Sequence, residues 1–363
     1  MKNKSTQDLA DFLKGNNARY RQLMNGIRPD YAPFRFWADD FAVCSCTGVD
    51  HRKFMSDLQV QLDAQRAFNA RFYGMHGYSV YSGIPDLYYD AERFSADFPN
   101  AHPGRFLEGG LDNFDKYYQR KKVADLPGVK RFREGLEFYR RNLPPEECAA
   151  YYLGAWGAMD LFFGFRGSES FFLDLYDSPQ EVARIFAYLT ERSLEMMAYA
   201  EQYFRPLNGD NILYDKVDVG EDYCAYLPPD LFDEFVKPYT GRMFEHYKGR
   251  AWRSLHTDGD ILINAIHKLG ETGCDELMGF SPNIDIAEFR KALPNTVLAG
   301  NIHPLKVMVS GTPEDVKKAA RHCFEAAAGD GKFVLCTGGA MSDQTKPENI
   351  DAFFESAFEI CKY

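Results

Sequence analysis

His256 and Asp258 stand two residues apart in Arg253-Ser254-Leu255-His256-Thr257-Asp258-Gly259-Asp260, where an apolar run gives way to a glycine turn. An imidazole and a carboxylate can share one metal ion or polarise one substrate if both project to the same side. A strand provides that projection, because its side chains alternate with period two. His-x-Asp also recurs by chance, and Asp before Gly is ordinary turn chemistry. The pair therefore takes its meaning from the elements that would position it.

The second half of the chain has a regular rhythm. Strand-like segments are expected at Asn211–Val219, Ala251–His256, Cys274–Gly279, Thr296–Asn301 and Lys332–Thr337, each followed by a helix-like stretch. Thr312-Pro313-Glu314-Asp315 combines an N-cap, a proline at the first helical position and early acids. Ser178-Pro179-Gln180-Glu181 has the same form and begins a long helix through Leu194 and Met197, and Pro347-Glu348 opens the last one. Strands alternating with helices imply parallel βα units. No Gly-x-Gly-x-x-Gly follows a strand and no Walker loop is present, so a closed (β/α)8 barrel is favoured over an open nucleotide-binding sheet. Earlier, Phe34–Thr47 and Tyr78–Gly83 read as strands, Asn113–Asn142 as largely helical, and Cys148–Trp156 as another strand.

Barrel chemistry sits where strands end and βα loops begin. Those ends carry Asp218 and Glu221, His256 and Asp258, Ser281, Asn301 and His303, and Cys336 and Thr337. Each has a plain structural explanation: a turn cap, the start of a helix, a small buried thiol. Their shared position in register is what makes an active-site rim. His256, Asp258, Asp218 and Glu221 are the catalytic candidates; Asn301, His303 and Cys336 are candidates for substrate contact; His256, Asp258 and Cys336 form the candidate metal set.

The net charge of −11 argues against a nucleic-acid-binding surface, which needs clustered Lys and Arg. No run approaches the roughly 18 apolar residues that span a bilayer, and the first residues, Met1-Lys2-Asn3-Lys4, lack the apolar core of a secretory signal. Eight widely spaced cysteines then read as those of a reduced, cytoplasmic protein. The aromatic segments Phe72–Tyr89 and Tyr151–Phe172 are rich enough to wall a barrel mouth, although core packing explains most such rings.

From about residue 146 to the C-terminus, the order of motifs resembles the uroporphyrinogen decarboxylase superfamily, while residues 1–145 diverge. The resemblance rests on Phe171-Phe172-Leu173-Asp174-Leu175 with Ser178-Pro179-Gln180-Glu181-Val182, Asp218-Val219-Gly220-Glu221-Asp222, Leu227-Pro228-Pro229-Asp230-Leu231-Phe232 and His256-Thr257-Asp258-Gly259. It continues through Gly273-Cys274-Asp275, Leu298-Ala299-Gly300-Asn301-Ile302, Gly311-Thr312-Pro313-Glu314-Asp315-Val316 and Phe333-Val334-Leu335-Cys336-Thr337-Gly338-Gly339. That superfamily includes corrinoid-dependent methyltransferases and shares its barrel with cobalamin-independent methionine synthase. The resemblance implies a single α/β domain, a TIM barrel with an N-terminal helical extension, with its site at the C-terminal rim and pairing as a homodimer.

Two branches bracket the reaction. Decarboxylases proper carry a basic N-terminal signature, where this chain has Pro33-Phe34-Arg35-Phe36-Trp37-Ala38-Asp39-Asp40, with aspartates in place of cations. The thiol-methylating branch binds zinc through His-x-Cys and a later Cys. His256 matches that histidine, Asp258 replaces the first cysteine, and Gly339 occupies the place of the second. The resemblance thus points first to methyl transfer between a small methyl donor or acceptor and a corrinoid (cobalamin) on a partner protein, with zinc as a possible metal. Decarboxylation in porphyrin biosynthesis comes next, and a non-catalytic corrinoid- or ligand-binding barrel is the remaining reading.

Overall fold

A computed structural model of the chain describes residues 6–81, 110–117, 122–144, 147, 153–203 and 215–363. Six parallel strands form one sheet: β1 (Leu153–Trp156), β2 (Lys216–Gly220), β3 (Trp252–His256), β4 (Glu276–Met278), β5 (Val297–Ile302) and β6 (Phe333–Thr337). Each strand neighbours the next in sequence with no reversal of order, unlike a doubly wound sheet, whose order switches direction. A further segment lies parallel beside β6, through Phe34 opposite Leu335 and Ala38 opposite Met341. These strands end within one residue of the ends that the sequence places, and the starts expected at Cys148 and Asn211 lie outside the described residues.

The core is split in two, as a barrel requires. A large outer cluster packs helices against the sheet, while a separate inner cluster gathers Met278, Val297, Ala299, Val334 and Cys336 with Tyr20 and Leu23. Tyr20 and Leu23 belong to α2 (Asn16–Met24), which with α1 (Thr6–Lys14) forms the N-terminal extension. A polar layer lies beside that inner cluster. Lys216 pairs with Glu276, Tyr20 Oη donates to Glu276 over 2.5 Å, and Ser254 Oγ donates to it over 3.0 Å. All of these side chains are buried, so the charges are satisfied by one another.

The N-terminal third departs from the sequence reading. Within Phe34–Thr47 the chain is extended only up to Ala38, and α3 (Asp40–Thr47) follows. Asp39 explains the switch: its carboxylate accepts from Ala42 N over 2.8 Å, capping the helix. Asp40 is buried against His51, with Oδ2 2.7 Å from Nε2. After α4 (His51–Ser56) comes α5 (Leu58–Arg71). Residues 78–81 of the expected strand Tyr78–Gly83 form no strand ladder, and 82–83 lie outside the described residues. Instead, side-chain amides of α5 pair with the backbone of the run 77–81, which begins at Gly77 in the left-handed region. Gln61 exchanges two hydrogen bonds with Tyr81, Gln65 two with Ser79, and Asn69 two with Gly77, over 2.6–3.1 Å. Helices open at Pro179, Pro313 and Pro347 as the sequence places them, and Thr312 with Asp315 makes a full capping box for Pro313–Ala327.

Candidate active site

Parallel register sets Gly220 of β2 opposite His256 of β3, so the loops leaving these strands run side by side at the C-terminal mouth. His256 Nδ1 lies 3.0 Å from the carbonyl oxygen of Met278. A carbonyl only accepts, so Nδ1 carries a proton and Nε2 faces the mouth. There it meets Asp222 Oδ1 at 3.4 Å. Asp222, His256 and Asp258 each offer a ligand atom within 4.8 Å of the others. The imidazole is held on its other sides as well. Trp37 presents its ring edge-on, 4.9 Å away at 84°. Gly279, at φ +60°, approaches so closely that a β-carbon there would lie 2.6 Å from Trp37 and 2.9 Å from His256 Nδ1.

Asp222 is the functional candidate that the strand-end reading missed. It lies beyond the strand, one residue after Glu221, so alternation along β2 does not reach it. Its position comes from the helix Ala158–Arg166, whose buried Asp160 accepts from Asp222 N over 3.0 Å and Tyr223 N over 3.1 Å. Asp258 N in turn donates to Asp222 Oδ1 over 3.4 Å. Loss of water raises the pKa of Asp258 above the usual carboxylate value, and the neighbouring Asp222 charge adds to the rise.

The other expected residues divide by direction. Asp218 is buried, and its Oδ2 accepts from Arg35 Nη2 over 2.9 Å. Burial alone would raise its pKa, but the charges of Arg35 and Lys216 override this and hold it low. It is therefore a fixed carboxylate, held by Arg35 and away from the convergent ligand atoms of His256 and Asp258. Glu221 faces away from the cluster: Oε1 accepts from Thr240 Oγ1 over 2.7 Å, and Oε2 accepts from Asp160 N. Complete burial pushes it up to about 8. Gly157 leaves it room, since a β-carbon at 157 would lie 1.8 Å from Glu221 Oε1.

Asn301 donates to the carbonyls of Ser281 and Ile284 over 2.8 and 2.9 Å, fastening a loop. His303 Nδ1 accepts from Leu305 N and Lys306 N, both over 3.2 Å, and so caps a turn. Ser281 Oγ donates to Asp260, and Thr337 Oγ1 to Gly339 O, each over 2.5 Å. Cys336 is fully buried in the inner apolar cluster, where burial pushes its thiol up to about 11. Among the described residues it does not join the three convergent ligand atoms. Of the expected set, the structure brings only His256 and Asp258 together.

Of the rings described in the two rich segments, Phe72, Phe162 and Phe171 have no exposed surface, Tyr73, Tyr78, Tyr81, Trp156, Phe163 and Phe172 are partly buried against the core, and 151–152 lie outside the described residues. One pair does border the loop that carries Asp222, with Phe163 stacked on Tyr223 at 3.4 Å between centroids. The portion 82–89 lies outside the described residues.

The Uroporphyrinogen decarboxylase (URO-D) profile matches residues 152–360, more than half of the chain. The chain belongs to the uroporphyrinogen decarboxylase family. Within that family, the chain is 25% identical over 159 residues to methylcobamide:CoM methyltransferase MtbA of Methanosarcina mazei, covering 40% of this chain and 45% of that protein. It is also 20% identical over 257 residues to the uroporphyrinogen decarboxylase of Nostoc punctiforme, covering 69% and 68%. The chain thus spans less than half the length of the methylcobamide relative. A solved structure described as a methyltransferase from Methanosarcina mazei superposes with a TM-score of 0.71 at 13% identity, over 95% of this chain and 98% of that one. At that identity the likeness shows the fold, and the fold is the family's α/β barrel.

The structure also bears on the family's two implied cysteine positions, Asp258 and Gly339. A β-carbon built on Gly339 would lie 3.6 Å from Asp258 Oδ2. The fold therefore holds those two positions side by side.

Proposed function

We propose that the protein is a cytoplasmic methyltransferase that moves a methyl group between a small substrate and a corrinoid carried on a partner protein. The observation that supports this reading is the convergence of His256 and Asp258 at the barrel mouth, with the imidazole tautomer fixed by Met278 O. In methyl transfer the carbon leaves its heteroatom without the bonding electron pair. That pair stays on the leaving atom, which then needs a proton or a Lewis acid.

The donor set suits a divalent cation such as zinc, with one imidazole nitrogen and carboxylate oxygens around an open side. When bound, such a cation supplies Lewis acidity to the substrate heteroatom. His256 and Asp258 would hold it. Met278 O and Trp37 keep the imidazole in its orientation. Four exposed apolar side chains, Tyr226, Leu262, Ile263 and Leu305, stand on the loops after β2, β3 and β5. They give the mouth an apolar rim against which a carrier protein can seat.

The test is methylation or demethylation of free cobalamin by the purified chain, followed by the visible spectrum of the corrinoid. Substrate-dependent spectral change that is lost in His256→Ala supports the transferase. Corrinoid binding without turnover, across a panel of methoxy, methylamine and thiol compounds, would make the chain a binder. Consumption of uroporphyrinogen would make it a decarboxylase, against the placement of Asp39 as a helix cap and Asp40 against His51.

A further inference from the structure

We propose that Asp222 is the third protein ligand of a thiolate-free cation site, in which one imidazole and two carboxylates face an open position. The inference rests on the metal reading of His256 and Asp258 given above. It departs from what the family resemblance implies, namely a histidine with two cysteines.

Three observations carry it. First, Met278 O takes the Nδ1 proton, so in the neutral ring Nε2 is an acceptor, and it faces a second acceptor, Asp222 Oδ1, at 3.4 Å. Two acceptors at that distance want a cation or a proton between them. Second, Asp222 and Asp258 carry like charges in one small space, yet among the described residues neither forms an ion pair with a lysine or an arginine. Asp260, the next acid along the chain, is engaged by Ser281 and Asn283 and does not compete for the position. Third, Asp222 is held from behind its own side chain. Asp160 accepts from its backbone N–H and that of Tyr223, which fixes the loop so that the carboxylate Oδ1 stands between Asp258 N and His256 Nε2. Orienting a ligand from outside is the usual means of tuning a metal site.

The chemistry of the donor set follows. Cys336, the nearest expected thiol, is shut inside the inner apolar cluster. Gly339 brings no side chain to its place beside Asp258. One nitrogen and two oxygens make a harder cation site than a thiolate pair does. The open side then favours an oxygen or nitrogen atom of the reactant over a thiolate.

The test uses the full chain, dialysed against chelator, with Zn²⁺ titrated calorimetrically and Co²⁺ followed by absorption. The wild type is expected to bind one Zn²⁺, Asp222→Asn to bind it roughly a hundredfold more weakly, and Cys336→Ser to match the wild type. Bound Co²⁺ should show ligand-field bands without thiolate-to-cobalt charge transfer. Circular dichroism and thermal midpoint establish that each variant is folded. Unchanged zinc affinity in folded Asp222→Asn, with loss in His256→Ala, would overturn the assignment of Asp222 while sparing the metal reading. A thiolate charge-transfer band, or loss of affinity in Cys336→Ser, would overturn the thiolate-free site. No zinc binding by the wild type would overturn both.

Discussion

Gly339→Cys restores a thiol at the place where the family resemblance expects one, and the structure gives the size of the effect. A β-carbon at 339 would sit 3.6 Å from Asp258 Oδ2 and 3.7 Å from Pro304, both ordinary van der Waals separations. Gly339 is also absent from the positive-φ glycines, so the side chain adds no backbone strain. The substitution should therefore leave the fold intact and bring sulfur to the edge of the cluster. Four-ligand zinc sites are worth about 10–16 kcal/mol at neutral pH, which puts one further ligand on the order of 3 kcal/mol, roughly a hundredfold in affinity. Competition titration of the dialysed variant against a chelating dye should show tighter zinc, and the Co²⁺ complex should gain the charge-transfer band that the wild type lacks. Unchanged zinc affinity in a variant with native circular dichroism and thermal midpoint would refute the placement of the metal between His256 and Asp258.

Glu221→Gln tests a carboxyl held neutral by burial. Because its folded pKa, about 8, lies above the ordinary glutamate value of 4.5, its stabilising contribution is complete below about pH 4.5 and is lost as the pH rises through 8. Urea titrations between pH 5 and 9 should show wild-type stability falling by a few kcal/mol more steeply than the variant's, with some slope remaining from Asp160, whose pKa is also raised by burial. Lys216→Met should cost about 3–5 kcal/mol in urea unfolding, because Glu276 is left charged and buried, and Lys216→Met with Glu276→Gln should recover part of that loss. Gln65→Leu strands the backbone of Ser79 and removes one of two partners of the Tyr139 hydroxyl, which still donates to Gln61; a loss of about 2–3 kcal/mol is expected, with faster amide exchange at Ser79.

The strands and their ends were legible because apolar runs closed by Gly or Asp leave a period-two signal. That signal reports position along a strand and says little about what a polar group meets after it. Asn301 and His303 lie where a barrel keeps its chemistry, yet nearby backbone carbonyls and amides claim both side chains. Glu221 and Asp222 are adjacent in sequence and face opposite ways, because both lie past the end of β2 and the helix Ala158–Arg166 takes hold of each differently. Asp39 and Asp40 read as charges in a strand, whereas Asp39 begins a helix. Contacts distant in sequence decide the roles of Asn301, Glu221 and Asp222, and backbone amides two or three residues on claim His303 and Asp39. The expected pair His256 and Asp258 came together because one strand and its own turn carry both.

The amide ladder on α5 works as a vernier. Its rungs are four residues apart on the helix, about 6.0 Å, and two apart on the extended chain, about 6.6 Å. Each step therefore falls short by about 0.6 Å. Over the two steps from Gln61 to Asn69 the mismatch reaches about 1.2 Å, which flexible side chains can absorb, with a shorter Asn at one end. A fourth rung would miss by close to 2 Å, beyond hydrogen-bond tolerance. Three rungs are thus near the geometric limit, and they suffice to define alignment. Shifting the extended run by one residue would turn every matched carbonyl and amide away together. The helix stores the alignment that a neighbouring strand would otherwise impose, so an insertion between Gln61 and Asn69 would misplace a segment it does not touch in sequence.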